Sequence, residues 1–332
     1  METLQTVWGW QPALYLFLGG MGAGAFIASA VVFVREGAEH ARLVTAGACA
    51  SAVCLAVGLL LLLSELTAPL RGMMMWQSFS NFSSWMALGA WVVFAALMVF
   101  ALMALCASPA VTRAVERRWP GYGKVRPRLG RTLAAVGLLC AVGVAAYTGV
   151  LLMSAPGVPL WNTPLLPVLF TVSALDTGIA LVEVLSFALR KREAMAPSVR
   201  RMFHAGVVAL VLLESAVLAT LLLESIGMAM NAGSLVDAGV AQGAVQAAAS
   251  AHLLVAGPLA VPFWVLVVAV GLVLPASAAA VSLADRKAHH PRLALVGAVG
   301  ALAGGCALRF LMVLGGAHAD PVAGTLAQLL GL

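Results

Sequence analysis

The chain has 332 residues, of which 62% are hydrophobic and only 10% charged, and its mean hydropathy is +1.02. No water-soluble domain of that length has this composition, so it reads as a polytopic integral membrane protein and excludes a soluble enzyme fold. The net charge of +6 is therefore a record of topology, to be read by location, and not a nucleic-acid signal.

A helix rises about 1.5 Å per residue, so roughly 20 apolar residues cross a hydrocarbon core of about 30 Å. Eight runs reach that length: Pro12–Val34, Leu43–Glu65, Ser83–Ala107, Gly130–Met153, Pro167–Leu189, Met202–Met230, His252–Leu274 (with an apolar continuation to Leu283) and Leu293–Gly315. Residues 1–332 are read as one membrane domain. The N-terminus, METLQTVWGWQP, has no basic segment and no small-residue cleavage site, and is expected to be a mature end.

The basic residues orient the spans. Arg35 and Arg42 follow the first. Arg113, Arg117, Arg118, Lys124, Arg126, Arg128 and Arg131 lie between the third and fourth. Arg190, Lys191, Arg192, Arg200 and Arg201 separate the fifth from the sixth, and Arg286, Lys287 and Arg292 the seventh from the eighth. Thus 17 of the 19 Lys and Arg residues fall on one side, which the positive-inside rule assigns to the cytoplasm. Both termini are then expected outside. The exceptions are Arg71, on the outer side, and Arg309, inside the eighth span, where a buried guanidinium needs a partner or a task.

In chain order, the first span contains YLFLGGMGAGAF. Gly20 and Gly24 form a face of small residues that admits a neighbouring backbone, and Tyr15 is either an interfacial aromatic or a site residue. Glu65 ends the second span before Pro69 and Arg71, so Glu65 and Arg71 are either a structural pair or part of a site. The segment Met73–Phe82 is too short to span and too apolar for a free loop. It suits an interfacial position, a pocket cover or a docking surface. The fourth span carries Tyr147 in its outer third, and a proline-rich loop holding Trp161 and Asn162 leads into the fifth. Asp176 and Glu183 lie in the fifth span, and Glu214 and Glu224 in the sixth, where His204 marks the inner end. With Glu65, five carboxylates at membrane depth exceed what packing requires, and each is either a structural pair or a functional group. Asp176, Glu183 and Glu214 stand at successive depths and are candidates for a proton route. The Gly/Ala/Ser-rich stretch from Asn231 to Ala251 suggests an outer loop with a short helix, and Pro258 and Pro262 suggest a kink in the seventh span.

The cysteines Cys49, Cys54, Cys106, Cys140 and Cys306 all fall in spans, with no CxxC pair, so no zinc or iron–sulfur ligand set is written here. No two histidines sit mid-span at matched depth, as a bis-histidine haem requires. Redox centres, if the protein does redox work, are expected in a partner.

The pattern YxGxLL at Tyr147, followed by PLWNxPLLPxLF and SALxxG, resembles the NrfD/PsrC family, the membrane subunits of respiratory molybdoenzyme complexes. Tyr15-Leu-Phe-Leu-Gly-Gly, the Glu65–Pro69–Arg71 segment and Leu308-Arg309 extend the resemblance over essentially the whole chain. The resemblance implies two four-helix bundles in a bacterial or archaeal cytoplasmic membrane. It implies a menaquinone or ubiquinone site at the outer side. It further implies a four-cluster ferredoxin-like iron–sulfur subunit docked there, itself carrying a molybdopterin catalytic subunit. In the polysulfide reductase members it implies a quinone-binding tyrosine at the Tyr147 position, assisted by a histidine that aligns with Tyr15 and an asparagine that aligns with Pro12. Tyr15 keeps a hydroxyl, whereas Pro12 offers no side-chain donor.

The expectation is a quinol- or quinone-reactive subunit of a multisubunit oxidoreductase with no stand-alone activity. Tyr147 and Tyr15 would contact the headgroup, with Arg71, Asn162, Trp161 and Arg309 around it and Glu65 or Glu224 handling protons. The rivals are a transporter or channel, which would show repeats and broken helices at mid-membrane, and a passive tether for an outer enzyme.

Overall fold

The computed structural model describes residues 9–65, 85–155, 157–230, 238–285 and 291–316. Arg71, Asp237, the Met73–Phe82 segment and the tail after Gly316 lie outside the described residues, as does the side chain of Glu65. Among the described residues there is no strand. The helices are α1 (Trp10–Glu36), α2 (Ala41–Glu65), α3 (Trp85–Ala107), α4 (Pro109–Arg118), α5 (Tyr122–Met153), α6 (Leu165–Leu189), α7 (Pro197–Met230), α8 (Ala238–Val255), α9 (Ala260–Ala284) and α10 (Pro291–Leu314). All but α4 and α8 are long and apolar enough to cross a membrane, giving eight spans among the described residues.

The spans form two four-helix bundles. In the first, α1 meets α2 and α5, and α3 closes the ring against both; in the second, α6 meets α7 and α10, and α9 closes it. The bundles join mainly where α1 lies against α6. Glycines set this seam. A Cβ on Gly24 would overlap the Ala174 carbonyl, and one on Gly178 would overlap the backbone of Gly24 and Ala25. The small-residue face of α1 is thus used for backbone contact, the arrangement that brings membrane helices closest. Inside the first bundle Phe26 and Phe100 stack with centroids 4.0 Å apart, over a space left by Gly137. The second core is built on Trp161, Phe170, Phe263 and Met312.

Several helices outrun their apolar stretches. α5 begins at Tyr122 and α7 at Pro197, ahead of the expected Gly130 and Met202. Hydropathy marks only the lipid-buried part, while the backbone hydrogen-bond ladder continues into the polar layer. α4 is a separate basic helix, with Pro109 at its first position and Ser108 at its N-cap accepting from the Val111 N–H at 3.5 Å.

The seventh span differs most. It begins at Ala260, not His252. His252 instead belongs to α8, an 18-residue helix where a short one was expected, and the chain turns at residues 256–259 before α9 starts. Gly257 and Pro258 break the helix instead of kinking it, because proline offers no N–H to the ladder. Trp264 bridges the break by donating from Nε1 to the Val255 carbonyl at 3.0 Å. From Phe263 to Val273 the helix is widened into a π-helix, a form that concentrates at functional positions.

On the basic face, the α6–α7 loop is tied to the first bundle. Glu193 accepts from the Arg42 and Leu43 N–H groups at the start of α2, at 3.1 and 3.0 Å. His40 Nε2 contacts the Ala194 carbonyl oxygen at 3.0 Å, and the Ser198 hydroxyl donates to Glu36 at 3.0 Å. A carboxylate on free N–H groups at a helix N-terminus satisfies both the donors and the helix dipole.

Candidate functional site

Tyr15 and Tyr147 occupy one layer of the first bundle, near the end opposite the basic loops. Tyr15 stands five residues into α1 and Tyr147 six residues before the end of α5, each about 8 or 9 Å from the helix end. Both rings lie on glycines. A Cβ on Gly58 of α2 would come within 3.2 Å of the Tyr15 ring, and one on Gly89 of α3 would overlap the Tyr147 ring and hydroxyl. Tyr15 is 4% exposed, whereas Tyr147 is only partly buried. The two phenols are near enough to interact electrostatically. A buried phenol needs a partner for its hydroxyl, and two of them facing an apolar interior make a hydrogen-bonding pair for a largely apolar ligand.

Arg309 sits elsewhere, fully buried where α10, α6 and α1 meet. Its Nη1 donates to the Ser173 hydroxyl and, at 3.3 Å, to the Gly305 carbonyl, while Nη2 donates to the Phe170 carbonyl at 3.0 Å. The guanidinium also lies 4.7 Å from the Phe170 ring centroid. Gly304 and Gly305 admit α10 to this depth: a Cβ on Gly304 would overlap Gly271 of α9, and one on Gly305 would overlap Thr177 of α6. A Cβ on Gly20 of α1 would stand 3.5 Å from Arg309 Nη2. Gly20 lies five residues below Tyr15, about 7.5 Å of helical rise.

From Arg309 a line of buried polar groups runs along α6 and α7 toward the basic face. Glu214 faces Ser173 and lies within electrostatic reach of Arg309. Asp176 is within electrostatic reach of both Glu214 and Glu183, and its Oδ1 is buried with no hydrogen-bond partner among the described residues. Glu183 Oε1 lies 3.3 Å from His204 Nδ1, at ion-pair distance though not aligned as a hydrogen bond. Ser173, Asp176 and Glu183 share one side of α6, since at about 100° per residue the three fall within an arc of roughly 80°. Ser173, Asp176, Glu214, Gly271, Gly304 and Gly305 line a gap too tight for water beside the π-helical part of α9.

The sequence candidates therefore divide into separate places. Tyr15 and Tyr147 come together. Asp176, Glu183 and Glu214 join one series that also takes in Arg309, so Arg309 groups with the carboxylates. Trp161 is fully buried, donates from Nε1 to the Met312 carbonyl at 2.8 Å, and fixes the proline-rich loop to α10. Asn162 is exposed on that loop, and Glu224 is exposed on α7. Glu65 ends α2, with its side chain outside the described residues, and Arg71 lies outside them altogether. Three participants were not singled out from sequence: His204 as the partner of Glu183, Ser173 as the link between Arg309 and Glu214, and Gly89 as the seat of Tyr147. Only the first left a signal. In an antiparallel pair, residue numbers across a contact sum to a constant, and 183 with 204 gives the same sum as 173 with 214.

Residues 2–319 match the family model described as "Polysulphide reductase, NrfD". The polysulfide reductase C subunit of Wolinella succinogenes is 32% identical over 321 residues, covering 93% of this chain and 94% of that protein. Protein NrfD of Escherichia coli K12 is 30% identical over 196 residues, covering 56% of this chain and 61% of that protein. A NrfD homolog of Haemophilus influenzae is 28% identical over 192 residues, covering 54% and 59% respectively.

Proposed function

This chain belongs to the NrfD family of membrane subunits, and from that premise we propose that it is the quinol- or quinone-reactive subunit of a respiratory oxidoreductase complex. The reading is carried by one observation: two tyrosines on glycine seats, Tyr15 against Gly58 and Tyr147 against Gly89, in one layer of the first bundle. The donor set fits a quinone headgroup, because phenol hydroxyls donate to carbonyl oxygens and the surrounding helix ends offer apolar surface to a prenyl tail. A menaquinone or ubiquinone, when bound, supplies a couple of two electrons and two protons. Tyr147, the less buried phenol, binds and orients one carbonyl, and Tyr15 holds the opposite side. Glu65, at the end of the helix that carries Gly58, is the proton-handling carboxylate of this reading.

By the charge rule the basic face lies in the cytoplasm, in a bacterial or archaeal inner membrane, and both termini lie outside. The tyrosine layer then faces the outer side, where an iron–sulfur subunit and, on it, a molybdopterin catalytic subunit exchange electrons with the site. Purification of the complex with lipid extraction tests this. Co-purifying quinone and an inhibitor-sensitive quinol activity are expected. A complex with neither is a passive tether, and the proposal fails.

A second reading is favoured by the buried series from His204 through Glu183, Asp176 and Glu214 to Arg309. It starts at the basic face and ends against α1 below Tyr15. Intramembrane carboxylates arranged in series are the usual material of proton relays. In this reading the series carries protons between the cytoplasm and the quinone layer and makes the complex electrogenic.

A further inference from the structure

On the basic face, a cavity of about 330 Å³ opens among the ends of α1, α2, α3 and α5, under α4. Its floor is apolar, with Phe33, Ala41, Ala107 and Pro127, and its charged lining is Arg126, Arg131 and Glu116. The Phe33 ring is held against Gly130, where a Cβ would leave it no room at 2.5 Å. Arg126 is fixed in place: it donates to the Cys106 and Ala107 carbonyls at the end of α3, both at 3.0 Å. Those two bonds use two of the five donors of a guanidinium. Arg131 is exposed at the mouth. The volume falls within the roughly 300–1,000 Å³ of small-molecule sites.

From this geometry we infer that the cavity is a binding site for an anionic phospholipid, with the phosphate on Arg126 and Arg131 and the acyl attachment over the apolar floor. The chemistry is that of a phosphate-bearing anion with an apolar tail. Three features select it. The cavity lies among the ends of membrane-spanning helices, where headgroups sit. Its walls change from charged to apolar over one cavity, matching a molecule that is charged at one end. Exposed Lys124 and Arg128 on α5 add positive charge around the mouth. Basic pockets between membrane helices on this face are where anionic headgroups bind. Glu116 is the one acidic group in the lining, its Oε1 within 3.1 Å of where a Cβ on Gly123 would stand. It leaves the lining at one net positive charge and opposes the ligand.

The test is native mass spectrometry of the full-length protein in detergent, titrated with phosphatidylglycerol, phosphatidylcholine or inorganic phosphate, together with thermal unfolding. Phosphatidylglycerol is expected to remain bound and to raise the unfolding temperature more than phosphatidylcholine does. Arg131→Gln should weaken its retention about fivefold, from one basic contact at a headgroup. Glu116→Gln should strengthen it, and Ala41→Trp should abolish it by filling the floor. Equal retention of the two lipids, or unchanged phosphatidylglycerol retention in both Arg131→Gln and Ala41→Trp, overturns the site. Stabilisation by inorganic phosphate equal to that by phosphatidylglycerol overturns the lipid as its occupant.

Discussion

Glu183 and His204 meet at 3.3 Å, and ten residues further along each helix Ser173 meets Glu214 in the same antiparallel register. The two pairs are rungs about 15 Å apart, with Asp176 between them on the same side of α6. These gaps exceed the roughly 3 Å of a direct proton transfer, so a proton route along the series needs water to enter between the groups. Glu214→Gln keeps the shape of the side chain and removes its proton-carrying capacity. In proteoliposomes of the complex, proton displacement is expected to fall to background while quinol-linked electron transfer continues at a reduced rate. Wild-type proton displacement in that variant would remove Glu214 from the route.

The same pair makes a stability prediction. Removing one member of a buried polar pair leaves the other unsatisfied, at a cost of about 1–3 kcal/mol, whereas removing both is milder. Solvent reaches the pair slightly, with side chains 7% and 11% exposed, so the lower end of that range applies. His204→Leu should lower the thermal midpoint in detergent markedly, and Glu183→Leu with His204→Leu should recover most of the loss. Additive losses in the double variant would show that the two side chains are not coupled.

Tyr147→Phe deletes one hydroxyl. One net hydrogen bond is worth roughly 0.5–1.5 kcal/mol, so quinol-linked turnover efficiency should fall about two- to thirteenfold. The activity of the partner subunits with an artificial dye should stay as in wild type. Gly89→Ala provides a second route to the same effect, since the added methyl displaces the Tyr147 ring without touching its chemistry. Unchanged quinol kinetics in both variants would detach Tyr147 from the site.

At the seam between bundles, Gly24→Leu and Gly178→Val put side chains where backbone already lies. Loss of the folded protein, read as failure to survive size-exclusion chromatography in mild detergent, is expected for both. Gly227→Ala is the control: its Cβ meets nothing within 4 Å, and exchanging glycine for alanine in a helix should be neutral or stabilising by up to about 1 kcal/mol.

Trp161→Phe retains most of the ring volume and loses the bond to the Met312 carbonyl. A destabilisation of about 1 kcal/mol is expected in thermal unfolding, with unaltered Michaelis constant for quinol. A raised Michaelis constant at unaltered stability would put Trp161 at the headgroup instead.

Most of the architecture was legible in the sequence because lipid enforces it. Apolar runs and the one-sided distribution of arginine and lysine specify eight spans without any knowledge of packing. The seventh span was misplaced because apolar composition continues from α8 into α9. The Gly257–Pro258 break and a mere proline kink have the same composition. Site residues were legible only as isolated polar groups at a depth. Their grouping depends on which helix faces which, and that is set by Gly24, Gly178, Gly304 and Gly305, whose contacts no sequence pattern reports. Thus Arg309 could be singled out as costly, yet its partners, a serine hydroxyl and the Phe170 carbonyl, carry no mark in the sequence. Gly89 likewise looks like any glycine in an apolar helix until Tyr147 is seen to rest on it.

The bonds of Glu193, His40 and Ser198 pin the two bundles together on the basic face, and Gly24 rests on Ala174 and Gly178 farther along α1. A third contact stands farther out, where a Cβ on Gly149 of α5 would overlap the Pro167 backbone of α6. The seam is thus pinned at three heights: on the basic face, at Gly24 and at Gly149. Tyr15 and the Arg309 end of the polar series lie along its outer part, so the tyrosine layer and the outer end of that series share one rigid support.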